Sequence, residues 1–183
     1  AVALIGVRAV VGIDNMKGSP FNVQRSLHIP NLTREETARM FRWYEGESGQ
    51  KVEQAVIDRL FDETRGHPGL VSWFGELVSE KYHPGPGKTI DLDIWKRTYR
   101  RACNVEWNNT VLNLVKKARG EYRNHVLELF VRSNIRFSLD AEWCGYLYLN
   151  GIIDVKTERD KTGEEIAVCF FSSPFIQRRL YNA

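Results

Sequence analysis

Residues 2–13, Val-Ala-Leu-Ile-Gly-Val-Arg-Ala-Val-Val-Gly-Ile, constrain the fold more than any other segment. Apolar residues occupy both alternating sets of positions, which is typical of a strand in the middle of a parallel sheet covered by helices. Parallel neighbours need crossover connections of about a dozen residues or more, and no comparable strand follows before residue 150. We therefore expect the neighbouring strands to lie in sequence outside these 183 residues or in another chain. The alternative is an edge or swapped strand in an oligomer.

Two charged residues stand out in and after this strand. Arg8 is the charged exception inside it, and an Arg in such a strand indicates a partner anion or carboxylate close by. Asp14 follows the strand and opens a loop rich in turn formers. It fits either an acid at the ligand-binding edge of a sheet or an ordinary turn residue, and the sequence does not separate the two.

The segments that follow predict a small bundle of three helices over residues 31–82. Thr33 and Glu36 have the spacing of a capping box at the start of the first helix. The second helix is predicted over residues 51–65, with a glycine just beyond its end, and the third over residues 68–82, with a proline at its first position. Each helix is too short to be stable unless it packs on the others.

The remaining residues predict further helices and one β-hairpin, an order typical of a winged helix. Asp91 or Asp93 is expected to cap the first of these helices, and Ser138 the fourth. The strands are predicted at 152–157 and 165–171, and the helices at 94–102, 107–117, 121–132, 140–150 and 173–181.

The predicted fold class is mainly α with minor β. It comprises an N-terminal strand remnant, a three-helix bundle and a winged-helix domain whose wing is the β-hairpin. We expect the domains to span residues 1–30, 31–83 and 90–183.

Composition and charge exclude several classes of protein. The net charge is only +3, from 26 basic and 23 acidic residues, so the charge of the chain does not indicate a polyanionic partner. No segment of the sequence is long and apolar enough to predict a membrane span. The three cysteines are odd in number and widely spaced, which suits a reduced chain, and together with the histidines they show no metal-ligand spacing. We expect a cytoplasmic protein with no membrane partner, no metal site and no nucleophilic catalytic set.

Residues 85–89, Gly-Pro-Gly-Lys-Thr, resemble part of a phosphate-binding P-loop without completing it. The motif requires a glycine five residues before its Gly-Lys pair, and Tyr82 occupies that position. Pro84 and Pro86 also lack the backbone N–H groups that a phosphate cradle uses. We therefore predict a plain linker loop.

A basic stretch lies between residues 94 and 136. Its ten basic residues outnumber three acidic ones and could serve nucleic-acid phosphates. The predicted recognition helix, residues 140–150, contains Asp140 and Glu142 but no Lys or Arg, which disfavours the reading of DNA bases by this helix. A winged helix that faces a protein is therefore preferred. The basic residues are Lys96, Arg97, Arg100, Arg101, Lys116, Lys117, Arg119, Arg123, Arg132 and Arg136.

Gly66, His67 and Pro68 lie where the second helix ends and the third begins. The free N–H groups of a helix start, together with an imidazole, can face a phosphate. A glycine that ends one helix, a solvent-facing histidine and a proline that starts the next explain the same residues by stereochemistry alone. On spacing alone this second interpretation is preferred.

Four short patterns follow one another along the chain: Leu4-Ile-Gly-Val-Arg8, Gly18-Ser-Pro-Phe-Asn-Val23, Leu32-Thr-Arg-Glu-Glu36 and Gly66-His-Pro-Gly-Leu70. Two later segments, Leu149-Asn-Gly-Ile-Ile153 and Ser173-Pro-Phe-Ile176, look like a winged-helix tail. In this order the segments resemble the C-terminal part of AAA-like, STAND-related P-loop ATPases of prokaryotes. The resemblance spans most of the chain, and the order of the patterns is more specific than any one of them.

By this resemblance the first strand is the sensor-1 strand of an ATPase core, and the three-helix bundle is the lid over the nucleotide. His67 and Pro68 would lie beside ATP or ADP, with Gly66 in the same motif and Arg8 as a weaker candidate. Pro68 would lie against the adenine, and the neighbouring residue would sense phosphate. Walker A and Walker B segments are absent from these 183 residues, so this chain alone is not expected to hydrolyse ATP. Mg²⁺ would be bound only by the rest of the core.

The resemblance implies the lid and winged-helix region of a nucleotide-dependent switch ATPase. Its partners would be the rest of the ATPase core and an effector protein. Nucleotide would bias the orientation of the lid, and the winged helix would transmit the change. The alternatives are a winged-helix module that binds nucleic acid through the basic stretch and a purely structural interaction domain.

Overall fold

The computed structural model describes residues 30–183. Over this range the chain forms eight α-helices and two sheets of two strands each, which confirms the fold class of mainly α with minor β. None of these helices has the length and apolar character needed to cross a lipid bilayer. The strand predicted over residues 2–13, with its Arg8, and the loop after it lie outside the described residues. The helices are α1 (Arg34–Ser48), α2 (Gln54–Thr64), α3 (Pro68–Glu76), α4 (Leu92–Asn104), α5 (Asn109–Ala118), α6 (Arg123–Val131), α7 (Glu142–Leu149) and α8 (Pro174–Tyr181), and the strands are β1 (Lys51–Val52), β2 (Thr89–Ile90), β3 (Ile153–Arg159) and β4 (Glu165–Phe171).

The described residues divide into two compact units. Residues 30–111 and 173–183 form the first, named here the helical unit, and residues 112–172 form the second, named the hairpin unit. The helical unit includes α4 and α8, whereas the sequence assigns residues 90–183 to one winged-helix-like domain. The grouping differs because α8 packs on α2 and α4, a contact between segments that lie far apart in sequence.

The start of α1 is explained by its own sequence. The Thr33 Oγ1 accepts a hydrogen bond from the Glu36 N–H at 3.1 Å, and the Glu36 carboxylate accepts one from the Thr33 N–H at 2.8 Å. This is the predicted capping box, and it satisfies two N–H groups at the helix start. After Ser48, Gly49 caps the helix in the left-handed conformation, with a φ of 69°.

The second helix of the bundle is shorter than predicted. Residues 51 and 52 form β1, which pairs in parallel with β2, and α2 begins only after Glu53. The N–H groups of Lys51 and Glu53 donate to the carbonyls of Lys88 and Ile90, both at 3.1 Å. Pairing with a distant segment therefore replaces the first helical turn.

The third helix is also shorter than predicted, because α3 ends at Glu76. The chain continues as a π-helical turn, Leu77–Lys81, closed by a hydrogen bond from the Tyr82 N–H to the Leu77 carbonyl at 3.0 Å. A π-turn has more residues per turn than an α-helix, so it changes the direction in which the following side chains point.

Caps at two later helices differ in part from the prediction. Asp91, rather than Asp93, caps α4, because its carboxylate accepts hydrogen bonds from two N–H groups of the first turn at 3.0 and 2.8 Å. α7 begins two residues later than predicted: its N-cap is Ala141, and Ser138 instead forms a turn in which its carbonyl accepts the Ala141 N–H at 3.3 Å. Gly151 follows the end of α7 as predicted, with a left-handed φ of 72°.

The hairpin unit contains the predicted β-hairpin. β3 and β4 pair in antiparallel register, from residues 153 and 171 to residues 159 and 165. Arg136 makes an isolated antiparallel bridge to Val168, so β4 lies between β3 and the residues around Arg136.

The core of the helical unit is built around Phe74. Its ring lies 5.1 Å from that of Trp95, 5.0 Å from that of Phe175 and 6.1 Å from that of Tyr99, measured between centroids. Phe74 and Phe175 are fully buried. Aromatic pairs at these distances stabilise a core beyond the burial of their area, so this cluster joins α3, α4 and α8.

Phe175→Ala tests the packing of α8 in the helical unit. Removing this buried ring leaves a cavity, so we expect the free energy of unfolding to fall by about 3–5 kcal/mol. Gln177→Ala, at an exposed position of the same helix, is the matched control and should change it by no more than about 0.5 kcal/mol. Urea denaturation measures both variants, and equal values would contradict this packing.

Candidate functional site

The predicted site residues Gly66, His67 and Pro68 lie together at the corner between α2 and α3, named here the α2–α3 corner (residues 65–69). Two consecutive residues after α2 are left-handed, Arg65 with a φ of 52° and Gly66 with a φ of 70°. The Arg65 N–H donates to the Phe61 carbonyl at 2.7 Å and closes the last turn. Gly66 thus has the predicted role of a glycine just past a helix end.

The α2–α3 corner is bonded to the residues that precede α1. The Leu32 N–H donates to the Gly66 carbonyl at 2.9 Å, and the Asn31 side-chain amide donates to the Arg65 carbonyl at 3.1 Å. A Cβ atom at Gly66 would lie only 1.9 Å from the Leu32 carbonyl oxygen. This close approach and the positive φ together require glycine at position 66.

His67 is the N-cap of α3. Its Nδ1 accepts a hydrogen bond from the Leu70 N–H at 3.3 Å, and its carbonyl accepts the Val71 N–H at 2.9 Å. A ring nitrogen that accepts a hydrogen bond carries no proton, so the neutral imidazole has its proton on Nε2. The side chain is half-buried rather than solvent-facing, and it fixes the start of α3. Sequence reasoning singled out this residue without the capping role.

Pro68 and Gly69 form the exposed surface at the start of α3. Pro68 occupies the first position of α3, as predicted, and both residues are exposed. The His67 ring lies beside them, since a Cβ atom on Gly69 would be 3.4 Å from the His67 Cε1. A pyrrolidine ring offers an apolar face to a flat ligand, and the start of an α-helix has a partial positive charge that favours an anion. The surface therefore suits a ligand with a flat ring and an anionic group.

The charge of Arg34, at the start of α1, is neutralised within the helical unit. Its guanidinium pairs with Asp58 at 3.1 Å and with Asp62 at 2.5 Å, and it lies 4.5 Å from the centroid of the Phe61 ring. Arg34 therefore braces α1 against α2. Arg8, the cation predicted for the site, lies outside the described residues, so the structure brings together only the other three predicted site residues.

Sequence reasoning missed a second group of interacting residues, named here the Glu106 cluster: Glu106, Lys81, Tyr82 and Arg101. Glu106 is only 8% exposed. One carboxylate oxygen accepts a hydrogen bond from the Lys81 Nζ at 2.6 Å, and the other accepts one from the Tyr82 hydroxyl. The Arg101 Nε donates to the same hydroxyl at 2.7 Å. No sequence signal pointed to this cluster, because two of its members come from the unpredicted π-helical turn and its end.

The Glu106 cluster determines the charge state of its carboxylate. Burial acts to raise the pKa of Glu106, but the hydrogen bonds from Lys81 and Tyr82 outweigh it and hold the pKa below its ordinary value. The carboxylate is thus ionised at neutral pH and joins the π-helical turn to the residues after α4. Both of its carboxylate oxygens accept hydrogen bonds from the π-helical turn and its end, so the role of the cluster is structural.

Two cysteines of the hairpin unit meet in the fold. The Sγ atoms of Cys144 and Cys169 lie 3.7 Å apart, and both residues are buried. Burial raises the pKa of Cys169 to about 12, so the group is a thiol at neutral pH. Within residues 30–183, no group of three or more His, Cys, Asp or Glu side chains is placed to hold a metal ion.

Comparisons of the chain with protein-family models, curated proteins and solved structures give no match. The likeness to AAA-like ATPases therefore depends on the short patterns of the sequence. Two of these, residues 32–36 and 66–70, lie at the starts of α1 and α3 and contact each other through the Leu32–Gly66 hydrogen bond.

Gly66→Ala tests the close approach at the α2–α3 corner. The added Cβ would overlap the Leu32 carbonyl oxygen on a left-handed backbone, so we expect the free energy of unfolding to fall by about 2 kcal/mol or more. Gly46→Ala is the matched control: Gly46 lies inside α1 with no atom within 4 Å of an added Cβ, and alanine there should stabilise by about 0.5–1 kcal/mol. Chemical denaturation compares them, and a neutral Gly66→Ala would refute the geometry.

The stability of the helical unit should depend on the ionisation of Glu106. Because its folded pKa is lowered, its contribution is fully present above the ordinary value of 4.5 and is lost as the pH falls through the folded pKa. Glu106→Gln removes this ionisation, so stability should fall less with acidification in the variant than in the native chain. Urea unfolding between about pH 6 and pH 3 measures this. Glu47→Gln, on the exposed side of α1, should keep the native pH profile.

Proposed function

We propose that this chain supplies the lid and winged-helix region of an AAA-like, STAND-related P-loop ATPase that acts as a nucleotide-dependent switch. The observation that carries the proposal is the exposed surface of Pro68 and Gly69 at the start of α3, with His67 as the cap of that helix. These residues belong to the Gly66-His-Pro-Gly-Leu70 pattern, which resembles the lid motif of that family.

Each residue of the proposed site has a physical role. Pro68 lies against the adenine of ATP or ADP with its apolar ring, and the start of α3 favours the phosphates through its dipole. His67 positions that helix start, and Gly66 allows the corner to pack on Leu32. Phosphate cleavage and Mg²⁺ binding belong to the ATPase core, whose Walker A and Walker B segments are not among these 183 residues.

The corner is also bonded to the point where the chain passes from the predicted core into the lid. Asn31 and Leu32 donate hydrogen bonds to the carbonyls of Arg65 and Gly66. A nucleotide at Pro68 therefore acts on the residues that immediately follow the predicted end of the core at residues 1–30. If two orientations of the lid bind nucleotide with different affinities, nucleotide shifts their populations, and this shift is the proposed signal.

The hairpin unit is proposed to pass the signal to an effector protein. Its order of elements, with α6, the bridge at Arg136, α7 and the β3–β4 hairpin, agrees with a winged helix. α7 carries Glu142 and no Lys or Arg, and three aromatic side chains lie partly exposed along it. Partly exposed aromatic residues are enriched in protein interfaces, whereas reading of the DNA major groove needs basic or amide side chains. The aromatic residues are Trp143, Tyr146 and Tyr148.

Pro68→Glu in the full-length gene product tests the nucleotide site. A negative charge in the first turn favours the helix itself, so the fold is retained, but it repels the phosphates. We expect the dissociation constant for a fluorescent ADP analogue to rise about tenfold or more, which corresponds to about 1.4 kcal/mol. Pro86→Glu makes the same change at another exposed proline of the helical unit, and it should leave nucleotide binding unchanged.

Two results would reject the proposal. One is equal nucleotide binding by the Pro68→Glu and Pro86→Glu variants, which favours a purely structural interaction domain. The other is a coding sequence in which no strand followed by GxxxxGK[ST] precedes this chain.

A further inference from the structure

Helix α4 carries a row of basic side chains on one face, named here the α4 basic stripe: Lys96, Arg97, Arg100 and Arg101. The three arginines follow Lys96 by one, four and five residues, and this spacing places the four side chains next to one another over two turns of the helix. All four residues are exposed. The opposite face of α4 is buried in the core of the helical unit and consists of Ile94, Trp95, Thr98, Ala102 and Cys103.

The positive charge of the stripe is only partly compensated. Lys96 pairs with Asp93 at 3.1 Å, and Arg101 donates its Nε hydrogen to the Tyr82 hydroxyl. The guanidinium groups of Arg97 and Arg100 make no hydrogen bond or ion pair with any of residues 30–183. Two of the four cations are therefore exposed without a partner in the described part of the chain.

The surroundings of the stripe set its limits. Asp91 and Asp93 line a groove of about 500 Å³ with Lys96, Arg97 and Arg100 at the N-terminal end of α4, so negative charge borders the stripe there. At the C-terminal end, the hydrogen bond to Tyr82 raises the pKa of Arg101 and the charge of Glu106 adds to the rise, so negative charge lies near the stripe there as well. The unpaired positive charge of the stripe is therefore that of Arg97 and Arg100, with acidic residues near both ends of the stripe.

We propose that the α4 basic stripe binds the phosphate backbone of a nucleic acid without reading its sequence. Three of the four cations are arginines, whose planar guanidinium groups match phosphate oxygens in a bidentate way. Exposed cations that release counterions from phosphates supply nearly all of non-specific nucleic-acid affinity. This surface lies in the helical unit, and its binding does not depend on the proposed nucleotide site.

The chemistry of the stripe disfavours other polyanions. A helix that lies on a membrane needs an exposed apolar face, and the apolar face of α4 is already buried. Stable protein interfaces have a central region that is poor in charged residues. The α4 basic stripe has no such uncharged region between its cations. A repeating, exposed phosphate backbone fits a row of charges that has no apolar centre.

The experiment measures fluorescence anisotropy of a labelled, random-sequence DNA duplex of about 20 base pairs, titrated with the full chain, without nucleotide, at several salt concentrations. We expect micromolar binding at low salt that weakens steeply as salt is added. Arg97→Gln/Arg100→Gln should weaken binding about tenfold or more and reduce the salt slope by about two, because two phosphate contacts are lost. The fold should be retained, since neither guanidinium has a partner within residues 30–183.

A charge-matched control locates the binding surface. Arg119→Gln/Arg123→Gln removes two exposed basic residues from the hairpin unit and should change the affinity less than twofold. A similar loss in both double variants would overturn the proposal, because the effect would then reflect overall charge. So would the absence of duplex binding at low salt, or equally strong binding of polyglutamate or of phosphatidylserine vesicles, which would assign the stripe to an acidic protein or to a membrane.

Discussion

The packing of Phe175 on Phe74 is the contact on which the helical unit depends. It joins the last helix of the described chain to α3 and α4. In the sequence, the whole of the hairpin unit separates α8 from these two helices. Burial of an aromatic side chain of this size stabilises a fold by about 1.5–3 kcal/mol, and ring pairing adds to it. The α2–α3 corner depends on the same core, because α3 begins at the corner and carries Phe74 at its buried end.

The parts of the fold that neighbouring residues determine were predictable from the sequence. The capping box at Thr33, the glycine at position 66 and the β-hairpin each follow from a few adjacent residues. The parts that distant contacts determine were not. β1 forms only because residues 88–90 pair with it, and the two-residue strand has no pattern of its own. The return of α8 to the helical unit has the same cause, since hydrophobic periodicity predicts a helix without indicating its partner.

The candidate site shows the same division. Stereochemistry alone predicts a corner at Gly66 and Pro68, but the capping bond of His67 depends on a side-chain rotamer that spacing does not reveal. The Glu106 cluster depends on the change of direction at the π-helical turn, for which the residues 77–81 give no signal. The sequence also merges ten basic residues into one stretch, whereas the fold assigns those of α4 and those of residues 116–136 to different units.

The division of the helical unit into two stretches of sequence affects how the protein is made. The ribosome delivers residues in order and domains fold as units, so Phe74 and Trp95 emerge well before Phe175. Until residues 173–183 have been synthesised, the aromatic surface that α8 covers stays open to water and to chaperones. The helical unit can therefore be completed only after the residues of the hairpin unit, which separate its two stretches in sequence, have been synthesised.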